Sequence, residues 1–198
     1  MNIIPFFAKE YVNLASAELG ALAIECSDDF FGKKERILKD EPPVFVPDKY
    51  DENGKWMDGW ESRRRRNGGY DWLIIELGAK ALIKGFDIDT SHFTGNFPPG
   101  ASIEGASCDA VPQSKNDWFP LTPQVTLEGN KHHFFESSNF ETPAKWIRLN
   151  IYPDGGVARL RVYGDPKPSF INLQEVVELS AMVNGGRIVD FSNSHYGN

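Results

Sequence analysis

Cysteine is scarce in this sequence, which has only Cys26 and Cys108 among its 198 residues. Two cysteines do not make a disulfide framework of the kind that stabilises small secreted domains, so we expect both to be reduced. The N-terminus has no basic region before its short apolar run, and no stretch is apolar for long enough to span a membrane. The sequence therefore predicts a cytoplasmic protein with no membrane partner.

An excess of basic residues is also absent, since 21 Lys and Arg stand against 28 Asp and Glu, for a net charge of −7. Because proteins that bind nucleic acids depend on phosphate neutralisation, we expect no nucleic-acid partner. No Cys and His spacing is typical of zinc, and the adjacent His132 and His133 point to opposite faces of a strand. We therefore predict no metal and no cofactor.

Long amphipathic helices are missing as well, whereas 18 Gly and 13 Pro favour turns between short strands. Residues 146–152 and 157–163 alternate apolar and polar side chains on either side of the turn Pro153–Gly156. This pattern predicts a β-hairpin with Arg148, Asn150, Arg159 and Arg161 facing outward. About eight such short strands, including 21–26, 72–77, 85–90 and 132–136, predict an all-β sandwich.

The chemistry-bearing residues are concentrated between Lys55 and Gly100. This stretch reads KWMDGWESRRRR, then NGGYDWLIIELG and, after a lysine-rich connector, GFDIDTSHFTGNFPPG. Together with the following ASIE, these blocks resemble the signature of the allantoicase family, and the fungal members look closest. The resemblance continues over nearly the whole chain, from NIIPFF to RLNIYPDGGVARLRVYG. It implies a jelly-roll sandwich of the galactose-binding type.

The resemblance also implies a reaction, the hydrolysis of allantoate to ureidoglycolate and urea in purine breakdown. It further implies an enzyme that assembles as a homo-oligomer in the cytoplasm. Allantoate carries a carboxylate and two ureido groups on one carbon. Hydrolysis therefore needs a cation for the carboxylate, a general acid for the departing urea and a general base for water.

The arginine run supplies the candidate cations, because a guanidinium matches a carboxylate bidentately. On an extended segment, alternate arginines face opposite ways, so at most two point into one site. We assign substrate binding to Arg63, Arg64, Arg65 and Asp71, although pairing of these arginines with nearby carboxylates is the alternative.

Three residues are the candidate catalytic groups. Asp58 and Glu61 flank the DGW turn and are the best carboxylates for acid or base chemistry. His92 follows a predicted strand, in a loop of the kind that commonly carries function. The alternatives are that Asp58 only forms the turn and that His92 is structural or solvated. Asp87 and Asp89 share a strand face, which either faces solvent, forms a paired-carboxylate site or binds a metal through oxygen.

The end of the chain resembles its beginning. Shifted by 165 positions without a gap, residues 14–33 face residues 179–198, with identities that include Gly20 and Gly185. Allantoicases are tandem copies of one repeat, so we predict a repeat over 1–164, a linker and short helix over 165–182, and the opening strand of a second copy over 183–198. We then expect this chain alone to turn over allantoate far more slowly than a two-repeat protein. The alternative function is a non-catalytic ligand-binding or assembly module.

Overall fold

The computed structural model describes residues 3–167, 177–189 and 192. This part of the chain contains one α-helix, α1 (Phe6–Glu10), and no described helix is long and apolar enough to cross a membrane. The strands are β1 (Val12–Asn13), β2 (Leu22–Cys26), β3 (Tyr50–Asp51), β4 (Gly54–Lys55), β5 (Trp60–Glu61), β6 (Asp71–Asp89), β7 (Gly100–Ala106), β8 (Trp118–Thr126), β9 (His132–Glu136), β10 (Ala144–Tyr152), β11 (Gly156–Val157) and β12 (Arg159–Pro166). Short 3-10 helices lie at Ala17–Leu19, Lys34–Leu38, Lys115–Asp117 and Met182–Asn184.

The longest strand, β6, belongs to both layers of an antiparallel β-sandwich. Its first part, residues 71–76, lies between β2 and β10, and its last part, residues 81–89, pairs with β12 and β9. β7 and β8 extend the first layer, and β1 extends the second. The prediction of separate strands at 72–77 and 85–90 is therefore wrong in its division, because the connector between them stays extended.

The predicted hairpin is also wrong. β10 and β12 do not pair with each other, because β6 lies between them and the turn after β10 crosses from one layer to the other. Alternation specifies which face of a strand is buried, but it leaves the neighbouring strand open. The predicted inward side chains are correct, and all are at most 1% exposed: Ile147, Leu149, Ile151, Leu160 and Val162.

The side chains predicted to face outward from β10 and β12 are not all exposed to solvent. Arg159 is completely buried and Asn150 is 3% exposed, so the outward orientation predicted for them does not expose them to water. The loop that follows the 3-10 helix Lys34–Leu38 covers this face of β12, where Arg159 donates to the Glu41 carbonyl at 2.9 Å. Arg161 donates to the Asp40 carbonyl at 3.0 Å. A proline-rich segment that makes no strand thus covers a row of charged side chains.

The same turn occurs near both ends of the described chain. The 3-10 helix Ala17–Leu19 ends at Gly20 with φ +89°, and Met182–Asn184 ends at Gly185 with φ +90°. In each turn the glycine N–H donates to the first helical carbonyl at 3.0 Å. The first turn leads into β2, whereas residues 186–189 are not in a strand, and Val189 is 84% exposed. The remainder of the predicted helix and opening strand lies outside the described residues.

A candidate active-site cleft

A cleft of about 630 Å³ lies beside the C-terminal end of β6. The loop after β6 contributes one wall, β4 and β5 contribute another, and the loop between β8 and β9 closes a third side. Aromatic side chains line part of the cleft. Its polar lining residues are Lys55, Glu61, His92, Thr94, Asn96 and Asn130. An apolar cleft with a few convergent polar groups is the usual form of a small-molecule site.

Two sequence motifs meet in this cleft. Glu61 comes from the DGWES block and Asn96 from the SHFTGN block, and the Asn96 amide donates to Glu61 Oε1 at 2.7 Å. Trp60 anchors the first motif, because its ring is fully buried and its indole N–H donates to the Asp28 carbonyl at 2.8 Å. The Gly156 N–H donates to the Asn96 carbonyl at 2.7 Å and fixes the second motif.

Glu61 lies in an environment that favours its protonated form. The residue is 9% exposed, and no cation makes an ion pair with it in the described part of the chain. Burial raises the pKa of Glu61 above its ordinary value, the Asn96 hydrogen bond opposes this, and the charge of Asp51 adds to it. A carboxyl group that keeps its proton at higher pH is suited to act as a general acid.

His92 is held in an unusual backbone conformation. Its φ is +69°, and its N–H donates to Asn130 Oδ1 at 2.9 Å, while Asn130 itself has φ +56°. Left-handed backbone at non-glycine residues is uncommon and is enriched at functional sites. His92 Nε2 lies 3.1 Å from the Pro43 carbonyl, and the ring stacks on Phe45. The tautomer that donates from Nε2 to this carbonyl leaves a lone pair on Nδ1.

Asp58 does not line the cleft. Its Oδ2 lies 2.7 Å from Arg159 Nη2, its Oδ1 lies 2.9 Å from Lys39 Nζ, and the Val44 N–H also donates to it. Burial alone would raise the pKa of Asp58, but the hydrogen bonds from Arg159 and Lys39 outweigh it and hold the pKa below its ordinary value. Asp58 therefore remains ionised in a buried ion pair that joins the covering loop to β12.

The arginine run divides into two pairs, and no member of it lines the cleft. Arg63 forms an ion pair with Asp28 at 2.6 Å, and Arg65 forms one with Asp71 at 2.8 Å. Arg64 and Arg66 are exposed and have no hydrogen bond or ion pair within the described residues. The alternative that nearby carboxylates pair with the arginines thus describes Arg63 and Arg65.

The cation that lines the cleft is a lysine. Lys55 lies at the end of the small β3–β4 hairpin, and its Nζ is 4.6 Å from the centre of the Phe45 ring. Lys55 and Asn96 belong to the stretch that the sequence singled out, but sequence reasoning gave no role to either of them or to Asn130. The signal for both asparagines was their position in glycine-containing turns, Gly95-Asn96 and Gly129-Asn130, where a side chain can be presented by a bent backbone.

Asp87 and Asp89 lie outside the cleft on the second layer. Both are at most 2% exposed, so the expectation that this face meets solvent is wrong. Asp87 Oδ2 is 2.8 Å from His132 Nδ1, and Asp89 Oδ2 is 3.8 Å from His132 Nε2. Sequence reasoning noted all three residues without joining them, because β9 pairs with β6 only in the folded chain. No group of three acidic, histidine or cysteine side chains among the described residues has metal-binding geometry.

The fold is a β-sandwich with a cleft at the end of β6, and comparison with known proteins defines the family. Residues 12–167 match the Allantoicase repeat family. A probable allantoicase of Burkholderia mallei is 52% identical over 98% of this chain, and one of Rhizobium meliloti is 51% identical over 99%. The chain belongs to the allantoicase family. It spans 58% of the length of each of these two relatives.

Solved structures agree with this assignment. The allantoicase structure from Saccharomyces cerevisiae superposes with a TM-score of 0.81 at 28% identity, covering 97% of this chain and 59% of that one. A carbohydrate-binding module of Clostridium perfringens, CBM32-3, has the same fold at 13% identity and a TM-score of 0.56. The bacterial relatives named above share more residues with the chain than the yeast protein does, although the motifs resembled fungal members.

Proposed function

We propose that this protein is a ureide hydrolase that converts allantoate to ureidoglycolate and urea in the cleft beside Glu61. The observation that carries the proposal is the meeting of the DGWES and SHFTGN motifs around a carboxyl group whose pKa is raised by burial. Family membership supports the substrate, since allantoicase is the name of the relatives at about half identity.

Substrate binding in this proposal uses the cation and amides of the cleft. Lys55 holds the allantoate carboxylate, in place of the arginine run that the sequence suggested. The side-chain amides of Asn96 and Asn130 face the ureido groups, which require both donors and acceptors. An unpaired ureido group in a closed site would cost about 1–3 kcal/mol, so these amides favour a ureide over a plain carboxylate.

The chemical step breaks the bond between the central carbon and one ureido nitrogen. Glu61 gives its proton to that nitrogen as urea departs, and His92 takes a proton from the attacking water through Nδ1. The hydroxide adds to the central carbon, which becomes the carbinol carbon of ureidoglycolate. The proton held by His92 then returns to Glu61 through solvent, so the enzyme is unchanged. Asp58 has no part in this step, because Arg159 and Lys39 engage it elsewhere.

Replacement of Glu61 tests the proposal. Glu61→Gln keeps the hydrogen bond to Asn96 but carries no transferable proton, so urea release should fall about 10²–10⁴-fold. Glu104→Gln, which alters a carboxylate paired with Arg148 on another face, is the matched control and should retain activity. Turnover by Glu61→Gln at the parental rate would refute the mechanism. Calorimetric binding of allantoate by the parent without any urea release would instead indicate the ligand-binding module.

We propose three further properties of the whole protein. The recurrence of one turn at Gly20 and Gly185 supports a second copy of the repeat from residue 183 onward. Cys26 and Cys108 form no disulfide, which supports a reducing cytoplasm. The exposed apolar side chains of Ile3 and Phe6 support a homo-oligomer, which sedimentation of the purified protein would test.

A further inference from the structure

The loop at residues 127–131 forms the cleft wall that holds His92. Asn130 accepts the His92 N–H, and the Thr90 hydroxyl donates to the Glu128 carbonyl at 2.6 Å. The loop leads directly into His132 and His133, the first residues of β9. These adjacent histidines point to opposite faces, and each one connects β9 or its loop to β6 through a different kind of bond.

His132 is suited to a positive charge. It lies against Asp87 at 2.8 Å and within 3.8 Å of Asp89, and both carboxylates are almost completely buried. Each of them has one buried oxygen without a hydrogen-bond partner among the described residues, namely Asp87 Oδ1 and Asp89 Oδ2. Two buried carboxylates on one strand repel each other, so a protonated imidazole beside them lowers their electrostatic energy.

His133 is suited to neutrality. Its Nε2 accepts the Glu128 N–H at 2.9 Å, and its Nδ1 lies 3.0 Å from the Ile88 carbonyl, to which it donates. Both ring nitrogens are used, one as acceptor and one as donor, which is the bonding pattern of a neutral imidazole. A proton on Nε2 would remove the acceptor that holds the Glu128 N–H and with it the start of the loop.

We propose that His132 and His133 are positioning residues that hold the loop at residues 127–131 against the cleft while His132 is charged and His133 is neutral. Loss of the positive charge on His132 as pH rises therefore releases the loop. We call these histidine contacts to β6 and to the loop the clamp. The clamp needs no substrate, so only the link from loop position to catalysis rests on the proposed function.

The neighbouring charges set the direction in which the pKa of His132 is shifted. The hydrogen bond to Asp87 raises the pKa of His132 above its ordinary value, burial opposes this, and the charges of Asp87 and Asp89 add to it. The charge of Arg161 on β12 lowers the pKa of His132. Tyr163, also on β12, interacts electrostatically with Asp87. The His132 contribution is complete below the ordinary histidine value of 6.5 and is lost as pH rises through the higher, folded value.

Nuclear magnetic resonance and hydrogen exchange on the full chain test the clamp without substrate. The His132 ring should titrate above the ordinary histidine value. Protection factors at residues 128–131 should fall severalfold as pH rises through that titration, because loss of the His132 charge removes its attraction to Asp87 and Asp89. His132→Gln should show low protection throughout and no step. Asp87→Asn, which leaves the histidine in place, should move its titration downward.

Lys131→Gln is the matched control, because it removes an exposed ion pair with Glu128 in the same loop and leaves both histidine contacts. It should show the parental step. A parental step in His132→Gln, or an ordinary titration of His132 with pH-independent protection, would overturn the clamp. The allantoate assay adds the functional link: kcat/KM of the parent should decline with the same midpoint. If the loop responds and no variant or pH gives urea, the clamp stands and the proposed function fails.

Discussion

Asp58 and Glu61 belong to one short segment and are both largely buried, at 5% and 9% exposure. The folded chain gives them opposite surroundings. Asp58 receives two cations and a backbone N–H, whereas the Glu61 side chain receives the amide of Asn96. Accordingly the pKa of Asp58 is held below its ordinary value, and the pKa of Glu61 is raised.

The difference shows how one fold keeps one buried carboxylate ionised and favours the protonated form of another. Arg159 reaches Asp58 from β12, on the face that the covering loop shields from water. Glu61 lies on the short β5 strand, which pairs with β11 next to the cleft. A buried charge with a fixed counter-ion resists protonation, and a buried acid without one holds its proton. Substitutions on the two sides should therefore affect different measurements.

Removing Arg159 should have the largest effect on stability. Arg159→Met leaves the buried carboxylate of Asp58 with the Val44 N–H and the half-exposed Lys39. Breaking a buried ion pair in this way costs about 3–5 kcal/mol. Urea denaturation at neutral pH measures the free energy of unfolding. Arg148→Met, which removes a partly exposed partner of Glu104, is the control and should cost less. Equal losses in the two variants would show that the Asp58 ion pair is not specially buried.

The two carboxylates should also give stability opposite dependences on pH. The Asp58 contribution is present above the ordinary Asp value and is lost as pH falls through its lower, folded pKa. The Glu61 contribution is present below the ordinary Glu value and is lost as pH rises through its higher, folded pKa. Glu61→Gln should therefore remove a destabilisation that develops on the alkaline side. Denaturation curves of the parent and Glu61→Gln, measured from acid to neutral pH, give their free energies of unfolding. A difference between the two that does not change with pH would contradict this prediction.

A smaller effect is expected at the other charged wall of the cleft. Lys55→Met should raise KM for allantoate about tenfold with less change in kcat, because a charged hydrogen bond contributes about 1.5–3 kcal/mol to binding. Lys49→Met is the matched control, since Lys49 lies 3.6 Å over the Trp56 ring and does not line the cleft. Steady-state kinetics of both variants decide the point, and an unchanged KM in Lys55→Met would place the carboxylate elsewhere.

Local sequence signals predicted the parts of the fold that depend on local chemistry. The turn that ends at Gly20 forms again at Gly185, because a glycine accommodates the left-handed conformation at both places. β2 continues after the first turn because it pairs with β6, and residues 186–189 have no strand partner within the described chain. The hairpin prediction failed for the same reason, since strand neighbours are set by long-range pairing.

The candidate site was predictable as a region and less so as a set of atoms. The motifs containing Glu61 and His92 were recognised, and the structure brings both to the cleft. The sequence could not show that Arg159 would occupy Asp58 from about one hundred positions away. Nor could it show that Lys55, and not the arginines, would line the cleft, because tertiary packing positions the β3–β4 hairpin.

The smallest effect should come from the two unpaired arginines. Arg64 and Arg66 are exposed and contact no carboxylate among the described residues, so Arg64→Gln and Arg66→Gln should each change stability by about 0.5 kcal/mol or less. Their kcat/KM values should remain within about threefold of the parent, since no catalytic contact is lost. Arg65→Gln provides the contrast within the same run.

In Arg65→Gln, the buried carboxylate of Asp71 loses its guanidinium, and Asp71 Oδ2 already has no partner among the described residues. This variant should therefore be clearly less stable than Arg64→Gln and Arg66→Gln, because an uncompensated buried charge is costly. Thermal denaturation and allantoate kinetics of the three variants show whether Lys55 or the arginine run binds the allantoate carboxylate. A tenfold rise in KM for Arg64→Gln with normal stability would show that the arginine run binds the substrate carboxylate. It would exclude Lys55 as the main cation.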